Sequence, residues 1–75
     1  MTVREFCLKH TQVGELCVIR DSGYILAVAF IDYEDLFTIH PNISGKKIKS
    51  TEWGYLNITN EDGSKKEIPC HYIDC

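Results

Sequence analysis

The strongest constraint on the fold is a turn signal between two β-rich apolar runs. Residues 16–19 and 24–31 are rich in β-branched and aromatic side chains. Residues 20–23 between them supply an Asp that bonds its own backbone and a Gly for a positive φ, so the pattern predicts a β-hairpin. In the second run, the side chains at odd and at even positions are both apolar, and the odd positions include the small residues Ala27 and Ala29. That predicts a central strand whose small side faces a closely packed helix.

A capping box marks the start of a helix before this hairpin. Thr2 and Glu5 are spaced to exchange hydrogen bonds between side chain and backbone at a helix N-terminus. We expect about two and a half turns, ended by Gly14, with an apolar face that packs on the sheet because so short a helix is unstable alone. The residues on that face are Val3, Phe6, Cys7 and His10.

The second half of the chain reads as a short helix followed by three strands. Asp32 and Asp35 are placed to cap the helix, which residues 40–42 would end. Residues 46–53 are rich in lysine, which predicts an exposed or edge strand. Gly54 then allows a bend or bulge.

A second hairpin is predicted at the end of the chain. Residues 55–59 and 64–73 flank the turn sequence Asn-Glu-Asp-Gly at 60–63. Pro69 lacks an amide hydrogen, which favours an edge position for the last strand.

The summed order, α-β-β-α-β-β-β, predicts one α+β domain over residues 1–75. We expect a small, mostly antiparallel sheet of four to five strands with the N-terminal helix packed on one face. A chain of 75 residues buries only roughly 60% of its unfolded surface. Domains of this size often need cross-links or a partner subunit for stability, so the four cysteines and a homodimer are both considered.

Composition argues against several functional classes. The net charge of −3, with a pI near 5.5, is too small for an acidic mimic of nucleic acid. A negative net charge is also the wrong sign for a protein that binds phosphate groups over its whole surface. The longest apolar stretch has eight residues, far below the roughly 20 needed to span a bilayer. With no signal-peptide pattern at the N-terminus, we predict a cytoplasmic protein with no membrane partner and with reduced thiols.

The cysteines are interpreted as structural rather than as metal ligands. Cys70 and Cys75 are five residues apart, so on one strand they face opposite sides, roughly 16 Å apart. No Cys-x-x-Cys pair is present, and we predict no metal and no cofactor. Cys7 and Cys17 are expected to be buried apolar groups, and Cys75 a frayed terminal thiol. A Cys/His metal module that joins Cys7 or Cys17 to Cys70 or His71 is one alternative, and a disulfide or a dimer bridge through Cys75 is another.

No catalytic residue is predicted. Phosphate loops, serine elbows and metalloprotease motifs are missing from the sequence. The carboxylates of Asp32, Glu34 and Asp35 are explained by helix capping. We therefore predict that the protein is not an enzyme.

The candidate binding residues are a lysine cluster and the aromatic residues that follow it. Lysines interleaved with aromatics suit single-stranded nucleic acid, whereas exposed Trp and Tyr favour a protein interface. The candidates are Lys46, Lys47, Lys49, Trp53 and Tyr55. The leading hypothesis is a protein partner or a second copy, and a nucleic-acid-binding module is the alternative.

Four segments carry a resemblance to a known group of proteins. Residues 15–23, 31–37, 45–49 and 68–73 together resemble small uncharacterised proteins encoded by phages and prophages of Firmicutes. The resemblance implies a short accessory protein that works as a stoichiometric binder, for example an inhibitor of a host defence system. It carries no catalytic signature and assigns no functional residue.

Overall fold

The computed structural model describes residues 1–32 and 41–75. The predicted helix that follows Asp32 lies outside the described residues. Within them, two helices and four strands follow one another in the order α-β-β-α-β-β. They are α1 (Val3–His10), β1 (Leu16–Asp21), β2 (Tyr24–Phe30), α2 (Pro41–Ser44), β3 (Ser50–Thr59) and β4 (Lys65–Asp74).

The four strands form one mixed sheet in the order β2-β1-β4-β3. Each hairpin pairs antiparallel, and the two hairpins join through a parallel pairing of β1 with β4. The predicted α+β class, the mostly antiparallel sheet and the N-terminal helix on one face are confirmed.

Helix α1 begins as predicted and ends earlier. The Thr2 hydroxyl accepts a hydrogen bond from the Glu5 amide, and the Glu5 carboxylate accepts one from the Thr2 amide, both at 3.2 Å. The helix ends at His10, whereas Gly14 lies beyond it in a turn with φ of 94°. The amide of Glu15 donates to the carbonyl of Gln12 there, so Gly14 belongs to a separate turn and does not stop the helix.

The first hairpin forms, but β2 is not a central strand. Ser22 and Gly23 both have positive φ, 52° and 86°, as a two-residue primed turn requires. Ala27 packs towards the helix side, as predicted. The prediction of a central position is wrong, because β1 pairs with β4 on its other side and β2 lies at the edge of the sheet.

The second hairpin also forms, with two corrections. Strand β3 runs unbroken through Gly54, which lies in register opposite Cys70 rather than at a bulge. Strand β4 is central, so the prediction of an edge position from Pro69 is wrong. The parallel ladder with β1 begins at Cys70, one residue after Pro69, and the missing amide therefore removes no bond from that ladder. The predicted edge strand is confirmed from Ser50 onward, as β3.

Helix α2 begins at a residue that the sequence suggested would end a helix. Pro41 is the first residue of this single turn. Proline is tolerated at the first turn of a helix because the amide that it lacks would have no intrahelical partner.

Apolar side chains are buried on both faces of the sheet. The α1 face carries the larger cluster, which consists of Val3, Cys7, Cys17, Ile19, Ile31 and Ile73. The opposite face carries Leu16, Val18 and Cys70, with Leu56, Ile68 and Tyr72 packed against them. Only the first of these clusters lies between the sheet and α1.

Candidate functional site

The edge strand β3 presents two exposed aromatic side chains, which we name the aromatic edge: Trp53 and Tyr55. Their exposed fractions are 54% and 59%. Two residues apart on one strand, they project from the same face of the sheet. The Cys75 amide bonds to a carbonyl of β1 at 2.9 Å, so alternation along β4 turns the amide and carbonyl of Asp74 towards its partner on β3, Ser50. Trp53 lies three residues beyond Ser50, so its amide points away from β4. Within residues 1–32 and 41–75, no strand pairs with this outer side of β3.

The ring of Trp53 is held on the sheet by His71. The two residues are directly opposite in the β3–β4 register. Their ring centroids are 4.5 Å apart in an edge-to-face arrangement, and Phe6 of α1 packs against His71 at 5.9 Å. One side of the indole is therefore fixed, while more than half of its surface remains open to solvent.

His71 itself is mostly buried and incompletely bonded. Its side chain is 15% exposed, and the Glu15 carboxylate lies 3.2 Å from Nε2. That oxygen lies off the direction in which Nε2 could bond, so among the described residues this nitrogen has no hydrogen-bond partner. A hydrogen bond from the Gln12 amide lowers the pKa of Glu15, and the contact with His71 adds to that effect. Glu15 therefore stays ionised next to the imidazole.

An open groove lies between α1 and the start of β3. Its volume is about 510 Å³, and Phe6 gives it an apolar wall that continues to His71 and hence to Trp53. None of the described residues that line it is acidic. They are Met1, Phe6, His10, Ile48, Lys49, Ser50 and Thr51. A partner bound at the aromatic edge has room to extend into this groove.

The three lysines do not form one patch with the aromatic edge. Lys46 Nζ lies 3.8 Å from Asp21 Oδ2, and Lys47 is opposite Thr2 in an isolated β-bridge. Of the three, Lys49 alone lines the groove. Tyr55 lies six residues further along the chain, about 20 Å away if the strand is fully extended. The structure brings Trp53 and Tyr55 together and leaves the lysines around the end of the sheet.

Strand β2 carries a second exposed apolar area that sequence reasoning missed. Its exposed side chains, which we name the β2 surface, are Tyr24 (77%), Ile25 (57%), Leu26 (39%), Val28 (46%) and Phe30 (61%). The feature of the sequence that could have indicated this surface is the apolar run itself. A buried central strand explains such a run equally well. Only the pairing of β1 with β4 shows that this run lies at an edge.

The cysteines are distributed over both faces of the sheet, and all four are free thiols. Cys7 and Cys17 belong to the core under α1, whereas Cys70 belongs to the opposite cluster, so the predicted burial of Cys7 and Cys17 is confirmed. A hydrogen bond with Cys7 raises the pKa of the Cys17 thiol, and burial raises it further. Cys75 is not frayed, because its amide donates to the Arg20 carbonyl at 2.9 Å and its side chain packs against the core.

Neither the described residues nor the comparisons with known proteins assign a metal site, a membrane span or a family. In residues 1–32 and 41–75, no group of three or more His, Cys, Asp or Glu side chains is arranged to hold a metal ion. Neither of the described helices is long and apolar enough to cross a membrane. No protein-family model, curated protein or solved structure matches the chain.

Proposed function

We propose that this protein is a non-enzymatic binding protein that engages a protein partner through the aromatic edge. The observation that carries the proposal is the pair Trp53 and Tyr55, both more than half exposed on an edge strand. Trp and Tyr dominate interface hot spots because each buries a large area at a small cost in side-chain entropy.

The backbone of β3 supports the same proposal. An extended segment of a partner that lies along the outer side of β3 would bond to amides such as that of Trp53. Trp53 would contact one of its side chains, and its indole is already fixed by His71 at 4.5 Å. A fixed anchor loses little freedom on binding, which favours affinity.

The resemblance to phage-encoded proteins points to a host protein as the partner, for example a component of a defence system that the binder inhibits. We place the complex in the cytoplasm, because four free thiols persist in a reducing compartment.

The test is affinity capture from a Firmicutes lysate with quantitative mass spectrometry. Wild type is compared with Trp53→Ser/Tyr55→Ser and with Tyr24→Ser, a control that removes an even more exposed aromatic from the opposite edge of the sheet. We expect wild type and Tyr24→Ser to recover one common partner. For the double variant, loss of two hot-spot side chains should weaken binding about 30-fold or more.

Two outcomes would contradict the proposal. One is recovery of the same partner by the double variant with unchanged yield. The other is tight binding of a single-stranded oligonucleotide whose affinity falls steeply as salt rises, since that dependence reports phosphate contacts and would favour the lysine cluster.

A further inference from the structure

The outer side of β2 is an open sheet edge. Among residues 1–32 and 41–75, no strand pairs with it. The Ile31 amide donates to the Glu15 carbonyl at 2.7 Å, so alternation turns the amides of Phe30 and Val28 outward. These amides, and the carbonyls between them, can pair with one more strand.

The sequence of β2 lacks the features that protect natural sheet edges. Residues 24–30 contain no charged residue, no proline and no glycine. Charged side chains or prolines usually block the pairing of an exposed edge with another molecule. The opposite edge, β3, carries Glu52 and Gly54 and follows three lysines.

The β2 surface also offers apolar contacts beside such a pairing. Val28 and Phe30 are opposite Val18 and Leu16, so they lie on the face away from α1 and extend the second apolar cluster. In a pairing of two copies, these side chains would lie beside apolar side chains of the second β2, and cross-strand apolar and aromatic pairs stabilise a sheet.

We propose that β2 pairs antiparallel with β2 of a second copy and forms a homodimer with one continuous eight-stranded sheet. An uncharged strand is complementary to itself, because a two-fold axis across it places no like charges opposite each other. The dimer uses the edge opposite to the aromatic edge, so each copy keeps Trp53 and Tyr55 free for a partner.

The test compares Val28→Lys with Ile58→Lys. Both replace a partly exposed β-branched residue on an edge strand, on β2 and β3 respectively. Mass is measured by size-exclusion chromatography with light scattering from about 1 µM to 1 mM, a range that covers moderate affinities. We expect wild type and Ile58→Lys to reach twice the 8.6 kDa of one chain. Val28→Lys should weaken dimerisation by about a hundredfold, because each copy would bring an ammonium group into the apolar contact without a partner of opposite charge.

Two further measurements keep the test decisive if Val28→Lys folds poorly. Tyr24→Lys changes the most exposed residue of β2 and should also shift the mass towards the monomer. In wild type, hydrogen exchange at the amides of Val28 and Phe30 should slow at least tenfold between the lowest and highest concentrations, while that of the Trp53 amide on the outer side of β3 should not change.

A wild-type protein that stays monomeric over the whole range would overturn the homodimer. If Val28→Lys and Tyr24→Lys fold correctly and still form the dimer, the proposal is also overturned. The same holds if the amides that are protected in the dimer lie on β3.

Discussion

Arg20 and Asp74 form a two-bond ion pair between the ends of the parallel strands β1 and β4. Nε lies 2.8 Å from Oδ1, and Nη2 lies 2.9 Å from Oδ2. The two residues are directly opposite in the β1–β4 register, the pairing that joins the two hairpins. The hydrogen bonds from Arg20 hold the pKa of the Asp74 carboxyl below its ordinary value.

This ion pair predicts a loss of stability in acid. Because the pKa of Asp74 is lower in the folded chain than in the unfolded one, the pair contributes fully above the ordinary pKa of about 3.9. The contribution is lost as the pH falls through the lower, folded value. Asp74→Asn should lower the thermal midpoint by roughly 2–5 °C at pH 7, and the difference from wild type should shrink below the folded pKa. Thermal melts at several pH values check this, with the exposed Glu61→Gln as the control. An unchanged difference at low pH would show that the carboxylate's charge is not what stabilises the contact.

Gly54 is the position on β3 where a side chain would disturb the sheet. A Cβ there would lie 3.0 Å from Cε2 of Tyr72. The Tyr72 ring cannot move away freely, because its hydroxyl donates to the Tyr55 carbonyl at 2.8 Å and the Arg20 guanidinium lies 4.4 Å from its centroid. Gly54→Ala should therefore destabilise the fold by about 1 kcal/mol in urea unfolding. In a Tyr72→Leu background, where that ring is removed, the cost should fall to near zero. An equal cost in both backgrounds would rule out the ring contact as its cause.

Ile73 lies at the centre of the core under α1, with none of its surface exposed. Ile73→Val removes one methylene group and should cost about 1 kcal/mol. Ile73→Ala should cost about 2–5 kcal/mol, which is a large share of the stability of so small a domain. Denaturant titration followed by circular dichroism measures both values. Ile58→Val on the surface of β3 is the control, with an expected change within about 0.5 kcal/mol.

The thiols should differ sharply in reactivity. Cys7, Cys17 and Cys70 are at most 2% exposed, whereas Cys75 is only partly buried. Without denaturant, iodoacetamide should modify Cys75 first, although burial raises the pKa of that thiol and slows the reaction. The other three should react only in guanidinium chloride. Mass spectrometry of the labelled peptides distinguishes them, and early labelling of Cys17 would show that α1 opens readily from the sheet.

Local signals in the sequence determined the elements that depend on neighbouring residues. The capping box of Thr2 and Glu5 placed the start of α1, because both partners lie within one helical turn. Ser22-Gly23 and the turn ending at Gly63 placed the two hairpins, because a two-residue primed turn and a positive φ are local requirements. The same local patterns indicated correctly which side of β2 faces the helix.

Only the tertiary structure decided which strands are central, and with that which surfaces are open. Residues 24–30 and Pro69 gave misleading predictions, because an apolar run suits a central strand and proline suits an edge. The parallel pairing of β1 with β4 places β4 at the centre of the sheet and leaves β2 at its edge, the opposite of both predictions. No local pattern encodes this pairing, because the two strands are some fifty residues apart in the chain. The contact of Trp53 with His71 depends on the same long-range register, so the sequence determined the exposed aromatic residues and the fold determined how they are held.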